Sequence, residues 1–455
     1  MEVRYQVIVL GGGPAGLNAA KYAANSGCEV GLIDAGTRLG GQYWRHTGHE
    51  EFDQTVHHNF DQGSLLMDAV RANPRITIHS DTTIWSVSII NDEIVLRTKD
   101  GAFITQRLII ATGAYDRTLP FPGWDLPGVM TPGAAQSLLK GQGVLAGKRV
   151  VVAGTGPFLL PVASGLSNHG ASLVGLLEAS GKYSWAKNSL ELLRNPAKAV
   201  EGLGYLLELR RGKVALRFRQ AVVAAHAGAD GTLESVTIAN IDSAWQIRST
   251  YKLSCDVVAV GWGFTADTAI ASSLGLTLEV DEEGAVTVVV DDDQCATQSN
   301  NAIQIYAAGE LTGIGGSDLA LVEGAIAGLA VADSTSDLKA LKKRRNKLHR
   351  FAKALTKVYP VLPGWKSWLS EETTICRCEE ISYSDINAAR EDFDAHDARS
   401  IKLLTRCGMG LCQGRICGRA IADLMNSTPQ ERINATTRPI LSPITLGEVA
   451  QEGLL

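Results

Sequence analysis

No apolar run in this 455-residue chain is long enough to cross a bilayer, and stretches such as Val150–Ala153 end after a few residues. No transmembrane segment is therefore expected. Nor is a signal peptide, because residues 5–10 already read as a strand that runs straight into glycines. A basic excess is missing too: 48 acidic residues against 43 basic ones leave a net charge of -5. That argues against a general nucleic-acid surface, although local patches remain open. Before residue 376 the cysteines are single: Cys28, Cys255 and Cys295 form no CxxC or CxxxxC pair. Thiol–disulfide chemistry is not expected there, and each of the three reads as a small core or strand-end residue. The chain is long enough for two or three domains with a sizeable core.

Glycine is abundant, at 47 residues, and much of it falls at strand ends. Residues 5–10 (YQVIVL) predict a strand, followed by Gly11-Gly12-Gly13-Pro14-Ala15-Gly16 and a helical run. This is GxGxxG in a strand–turn–helix setting: Gly11 for the tight turn, Gly13 for close approach of a pyrophosphate, Gly16 for helix–strand packing. The next strand, residues 29–33, leads into Asp34, placed to accept hydrogen bonds from a ribose. The motif fits FAD or NAD. A second copy begins with a strand at 148–153 and Gly154-Thr155-Gly156-Pro157-Phe158-Leu159. Leu159 stands where the third glycine belongs, and would hold helix and strand apart and crowd a pyrophosphate. Strands are expected at 173–177, ending on Glu178, and at 256–260. Residues 180–210 read as mainly helical, with Trp185, Leu193 and Leu206 as core positions. A Rossmann-like fold is expected here, with ATP or no ligand in place of NAD.

Five of the eight cysteines fall between residues 376 and 417. Cys376-Arg377-Cys378 is followed by Cys407, Cys412 and Cys417. A thiolate-ligated metal centre needs such clustering, since several soft ligands must meet at one point. Four cysteines alone do not separate a [2Fe–2S] cluster from [4Fe–4S] or zinc. A helix is expected over 385–391, with Ser384 as a cap, and another over 418–425. Glycines around Cys412 can aim backbone N–H groups at the sulfurs, which raises a cluster's potential. Ahead of the cysteines, residues 338–355 predict a basic helix containing Lys342-Lys343-Arg344-Arg345. It reads either as a solvated face or as a dock for an acidic partner or a lipid surface.

Three resemblances build on these residues. The strand at 108–111 running into Thr112-Gly113, and the late strand at 303–308 running into Gly309-Glu310, resemble the flavoprotein disulfide reductase family. In that family the late Gly-acid pair meets the flavin's ribityl–phosphate region, which implies FAD. The acid here is Glu310, where the family usually carries Asp. Gly40-Gly41-Gln42 resembles its flavin-proximal loop. By that resemblance the FAD contacts are Gly11, Gly13, Pro14, Ala15, Gly16, Asp34, Gly41, Gln42, Ala111, Thr112, Gly113, Gly309 and Glu310. Arg38 is either a contact to the adenosine or pyrophosphate or an ordinary surface arginine.

The cysteine segment resembles BFD-like [2Fe–2S] domains, whose pattern Cys376, Cys378, Cys412 and Cys417 match as CxC-x33-CxxxxC. Those four are the implied ligands. Cys407 stands where such sequences usually carry a small non-ligating residue, yet Cys407-x4-Cys412 repeats the spacing of Cys412-x4-Cys417, so Cys407 could replace a member of the second pair. Cys412 and Cys417 are preferred because they flank Gln413-Gly414-Arg415 as in that family. The chain as a whole resembles the larger, iron–sulfur-bearing (alpha or A) subunit of heteromeric bacterial amino-acid dehydrogenases, a family that includes opine oxidases, proline and hydroxyproline dehydrogenases and hydrogen cyanide synthase. Residues 120–129 (PFPGWDLPGV) and the tail at 438–447 add to it.

The resemblance implies an α/β protein with two Rossmann-like domains and a small helical BFD-like [2Fe–2S] domain. The expected layout is a flavin domain at 1–123 and 264–333, a second fold at 124–263, a helical linker at 334–371, and the cluster domain with its tail at 372–455. It further implies an electron-transfer subunit carrying FAD and the cluster, with FMN at the subunit interface in some relatives. A partner of the D-amino-acid-oxidase type holds its own FAD and oxidises the substrate's C–N bond, with room for a small third subunit. Electrons then pass to a downstream acceptor, and no catalytic base is expected on this chain. An autonomous NAD(P)H-dependent flavoprotein and a non-catalytic scaffold or nucleotide sensor are the alternatives. A cytoplasmic location suits the thiols, with the inner membrane face as a docking place.

Overall fold

The computed structural model describes residues 2–57, 59–182, 196–212, 214–296, 302–438 and 440–451. Trp185 and Leu193 lie outside the described residues. Two compact units emerge, each assembled from separated stretches. The first comprises Met1–Ala114, Thr265–Ala352 and Thr436–Leu455; the second comprises Tyr115–Phe264 and Lys353–Ala435.

A five-stranded parallel sheet forms the centre of the first unit. Its order is Gln304–Ala307, Arg107–Ile110, Val7–Leu10, Val30–Ile33, Ile76–His79. The strands Val7–Leu10 and Val30–Ile33 are buried throughout, as continuous apolar runs in a parallel sheet must be. A second sheet, ordered Glu2–Arg4, Gly101–Thr105, Glu93–Thr98, Ser86–Ile90, completes the unit's β-structure with the hairpin Leu278–Val280 and Val286–Val288.

The helices Pro14–Asn25 and Ser317–Ala330 pack closely along their length. Gly324 and Gly328, one turn apart, permit this. A Cβ at Gly324 would lie 2.0 Å from the Ala15 carbonyl oxygen, and one at Gly328 would lie 2.4 Å from that of Ala19. The tail belongs to this unit by contact: Leu441 N–H donates to the Trp85 carbonyl, and Ser273 Oγ to that of Arg438.

The second unit repeats the parallel sheet, in the order Val129–Met130, Val257–Gly261, Arg149–Gly154, Ser172–Glu178, Leu216–Phe218. An antiparallel sheet of Gln220–Ala227, Leu233–Ile241 and Ile247–Ser254 accompanies it. In the helix Pro196–Arg211, Leu206 is only half-buried, and Leu209 supplies the core contact. The cysteine-rich module shares one hydrophobic core with this fold: Val222, Ile238 and Val258 join Ile375, Ile386, Ile401 and Ile421. Trp245, Trp262 and Trp368 form its middle, with ring centroids 5.2–5.9 Å apart, and Trp368 Nε1–H donates to the Trp245 carbonyl.

Among the described residues, no helix is long and apolar enough to cross a membrane. The basic helix runs Leu338–Val358, and half of its cationic run is structural. Arg345 is buried and donates to the Asp292 carboxylate and carbonyl, while Lys342 pairs with Asp293 at 2.6 Å. Only Lys343 and Arg344 of that run are fully exposed.

Candidate flavin site and iron–sulfur centre

The carboxyl ends of adjacent parallel strands bring four segments together in the first unit. Gly11–Gly16 follows the strand Val7–Leu10, Asp34 follows Val30–Ile33, Ala111–Gly113 follows Arg107–Ile110, and Gly309–Glu310 follows Gln304–Ala307. This is where open α/β sheets bind nucleotides. Gly13 is the N-cap of the helix Pro14–Asn25, and no side chain caps it, so the first amides face outward. A Cβ at Gly16 would sit 1.7 Å from the Gly11 carbonyl oxygen, which makes the third glycine obligatory for this helix–strand approach. Gly113, with φ +75°, has nothing within 4 Å of its missing Cβ, and Gly13 has only the Gly41 Cα at 3.9 Å. Those open positions form a cradle that fits a pyrophosphate and ribityl chain.

The polar residues are arranged less simply. Asp34 accepts from the amides of Gly12 and Gly36. Gly40 N–H donates to the Gly12 carbonyl, which lays the Gly40–Gln42 turn on the glycine loop. Gln42 accepts from Arg45, and exposed Arg38 donates to the His46 carbonyl. Thr112 Oγ1–H donates to the Asp267 carbonyl. Glu310 turns onto the loop ahead of the next helix, accepting from Gly315 and Gly316 at 3.1 and 2.7 Å. Burial pushes its carboxyl up to about 7, against the pull of those two amides.

Sequence reasoning overlooked Glu323. Fully buried, it accepts from the Gly309 amide and Thr312 Oγ1, and lies 2.9 Å from His349 Nε2. A single acid inside the apolar helical run LALVEGAIAGLA was the available signal.

The second glycine loop differs in detail. Glu178 is 3% exposed, and its oxygens accept from Thr155 Oγ1, Gly156 N–H and Ser180 N–H at 2.7, 3.1 and 2.8 Å. Burial raises its carboxyl to about 7. Leu159 is buried, and the helix starts at that residue with Phe158 as N-cap.

The five clustered cysteines all lie in the second unit, as a trio and a pair. Of the four ligands expected from sequence, Cys376 and Cys417 meet in the trio with Cys407, and Cys378 and Cys412 form the pair. The Sγ atoms of Cys376, Cys407 and Cys417 lie within 4.8 Å of one another, and all three residues are buried. Cys376 sulfur accepts from the thiols of Cys407 and Cys417 and from the backbone N–H groups of Gly408 and Glu379. Those donors hold Cys376 well below the ordinary thiol range, and donating to its sulfur pushes the Cys407 and Cys417 thiols up. Cys378 is exposed, and its sulfur takes the Cys412 amide and pairs with the Cys412 thiol.

Left-handed backbone at Arg406, Gly408, Gln413 and Gly414 winds the loop around the sulfurs. A Cβ at Gly410 would sit 2.1 Å from that of Cys378, so only glycine lets the two loops meet. Arg406 Nε donates to Glu379 across them at 2.9 Å. Three sulfurs at one point with a cysteine pair beside them, under backbone N–H groups, fit an iron–sulfur cluster.

The segment 117–125 braces both cysteine loops. Thr118 Oγ1–H donates to the Ile416 carbonyl beside Cys417, and Trp124 Nε1–H donates to the Thr374 carbonyl ahead of Cys376. Arg377 stacks on the Trp124 ring at 5.2 Å. Arg117, nearly buried, pairs at 2.8 Å with Asp423, which Arg432 also engages at 2.8 Å.

These features define a flavoprotein with two Rossmann-like folds and an iron–sulfur module. Residues 5–328 match the pyridine nucleotide-disulphide oxidoreductase family, and residues 374–427 match the BFD-like [2Fe-2S] binding domain. The chain belongs to that oxidoreductase family and carries that domain.

Among known proteins it is similar to hydrogen cyanide synthase subunit HcnB of Pseudomonas protegens, 31% identical over 95% of this chain and 94% of the relative. It is also similar to the A subunit of opine oxidase from Agrobacterium tumefaciens, 29% identical over 98% and 91%. The fold matches L-proline dehydrogenase from P. horikoshii with a TM-score of 0.69 and 19% identity, covering 98% of this chain and 80% of that one.

Proposed function

We propose that this chain is the FAD- and [2Fe–2S]-bearing electron-transfer subunit of a heteromeric dehydrogenase or oxidase that acts on the C–N bond of an amino acid or opine. Substrate oxidation belongs to a partner of the D-amino-acid-oxidase type. FAD held here would supply two-electron chemistry and the cluster a one-electron outlet.

The observation that carries this reading is the polarity of the cysteine site. Cys376, Cys407 and Cys417 are enclosed, whereas Cys378 is exposed and paired with Cys412. On the same loop Leu411 is 79% and Met409 38% exposed, and Leu403 and Leu404 on the preceding helix are also open to solvent. An apolar rim beside an exposed ligand pair suits docking of a redox partner. Asp34 and the amides at the start of the helix Pro14–Asn25 would hold the FAD ribose and pyrophosphate, and Glu310 would face its ribityl–phosphate region. Cys376, Cys378, Cys412 and Cys417 would hold the cluster. The names of the relatives, as subunits of hydrogen cyanide synthase and opine oxidase, support assembly with other chains.

The test is the Cys412→Ala variant, co-expressed with a candidate FAD-bearing partner subunit of the D-amino-acid-oxidase type. Retained FAD and retained assembly with loss of acceptor reduction is the expected result. Turnover with the physiological acceptor that survives loss of the cluster would sink the relay role.

A further inference from the structure

The site offers five thiols for four places, and the surplus is confined to one side of it. Cys378 has Cys412 as its thiol neighbour. Cys376 has two, Cys407 and Cys417, each within 4.8 Å of it and of the other. Both are enclosed, at 4% and 2% exposure, so neither can be a surface thiol that the module merely tolerates.

Their backbones are fixed independently. Cys407 lies between the left-handed residues Arg406 and Gly408, and its amide donates to Thr405 Oγ1. Cys417 starts the helix Gly418–Leu424, and Thr118 holds the carbonyl of its neighbour Ile416. Each backbone is therefore held beside Cys376 by contacts of its own, and the two thiols also bond each other.

We propose that Cys407 is a reserve ligand for the [2Fe–2S] cluster, able to replace Cys417 beside Cys376, whereas Cys412 has no substitute. This rests on the iron–sulfur reading of the site. In the exchange the incoming Cys407 thiol gives up its proton and the departing Cys417 thiolate takes one, so the site keeps its charge and no electron moves. The distance the ligand position must travel is bounded by the 4.8 Å that encloses the three sulfurs. Thiolate ligation needs the thiol deprotonated, which a cluster's iron enforces.

The experiment compares full-length Cys407→Ala, Cys417→Ala, Cys412→Ala and the Cys407→Ala/Cys417→Ala double variant, purified anaerobically. Iron, acid-labile sulfide and the electron paramagnetic resonance spectrum of the reduced cluster are read, with bound FAD reporting the fold. Cys407→Ala is expected to keep the native spectrum. Cys417→Ala keeps most of its iron with an altered spectrum, and the double variant and Cys412→Ala lose theirs while retaining FAD. Cys417→Ala emptied as completely as Cys412→Ala overturns the proposal, as does a double variant that stays loaded. A native chain without iron and sulfide overturns the cluster reading instead, and is told apart by that measurement alone.

Discussion

The two glycine loops are built on the same plan and end in opposite states. In each, the acid that closes the following strand accepts from an amide of the loop: Asp34 from Gly12, Glu178 from Gly156. In the first loop the helix begins directly after Gly13, and Asp34 remains half-buried with room beside it. In the second the helix begins at Leu159, after the Leu159 and Leu160 amides close short turns onto Gly156 and Pro157. Phe158 packs its ring on Phe264, 5.1 Å away, and Glu178 is enclosed by Thr155, Gly156 and Ser180. With an apolar side chain at the third glycine position the helix starts later, and Phe158 and Leu159 pack into the corner of the second loop. The same backbone plan thus leaves open space beside the glycines in one place and packed aromatic and polar contacts in the other.

The largest expected effect comes from exchanging the two third positions. Gly16→Leu forces side-chain atoms into the Gly11 carbonyl and should lower retained FAD about 10-fold or more, read as the flavin-to-protein ratio after purification. The reverse change, Leu159→Gly, should cost about 3 kcal/mol or more in chemical denaturation and leave the flavin unbleached by NADH. Rapid bleaching of the unaltered chain by NADH would show that the second loop is a nicotinamide site as it stands.

A smaller effect should separate the two acids. Asp34→Ala is expected to weaken FAD binding by about 10-fold, the loss of one charged acceptor of about 1.5 kcal/mol. Glu178→Ala should leave the flavin content intact and destabilise the chain by about 1–3 kcal/mol, since Thr155 and two amides lose their buried acceptor. Equal flavin loss in both variants would erase the distinction.

The smallest effect is a pH slope. Glu178 and Glu310 are each raised to about 7 from an ordinary 4.5, so the folded chain holds their protons more tightly than the unfolded one. Their contribution to stability is greatest below pH 4.5 and is lost as pH rises towards 7, at no more than about 1.4 kcal/mol per pH unit each. Removing either carboxylate should flatten that window in denaturation midpoints measured across it.

Much of this was legible in the chain because short apolar runs ending on glycine leave few alternatives to parallel strands. Strands expected at 29–33, 148–153 and 256–260 appear as Val30–Ile33, Arg149–Gly154 and Val257–Gly261. Side-chain partnerships were less legible, because they depend on rotamers and on distant neighbours. Ser382, not Ser384, caps the helix Tyr383–Phe393, because Asp385 stands three residues on and completes a capping box. Cys407 could be counted but not placed: its proximity to Cys376 depends on left-handed turns at Arg406 and Gly408. The roles of Arg117 and Thr118 depend on residues about 300 positions away, at Asp423 and Ile416.

The interleaving of the two units has a consequence for biosynthesis. The core around Trp245 and Trp262 is finished by Trp368, Ile386 and Ile421, and the first unit gains its last strap when Leu441 bonds Trp85. The second unit therefore cannot complete its core until Ile421 has left the ribosome, nor the first its strap until Leu441 has. During synthesis the apolar strands of both must wait partly uncovered, which makes this a protein whose yield should respond to chaperone supply and translation speed.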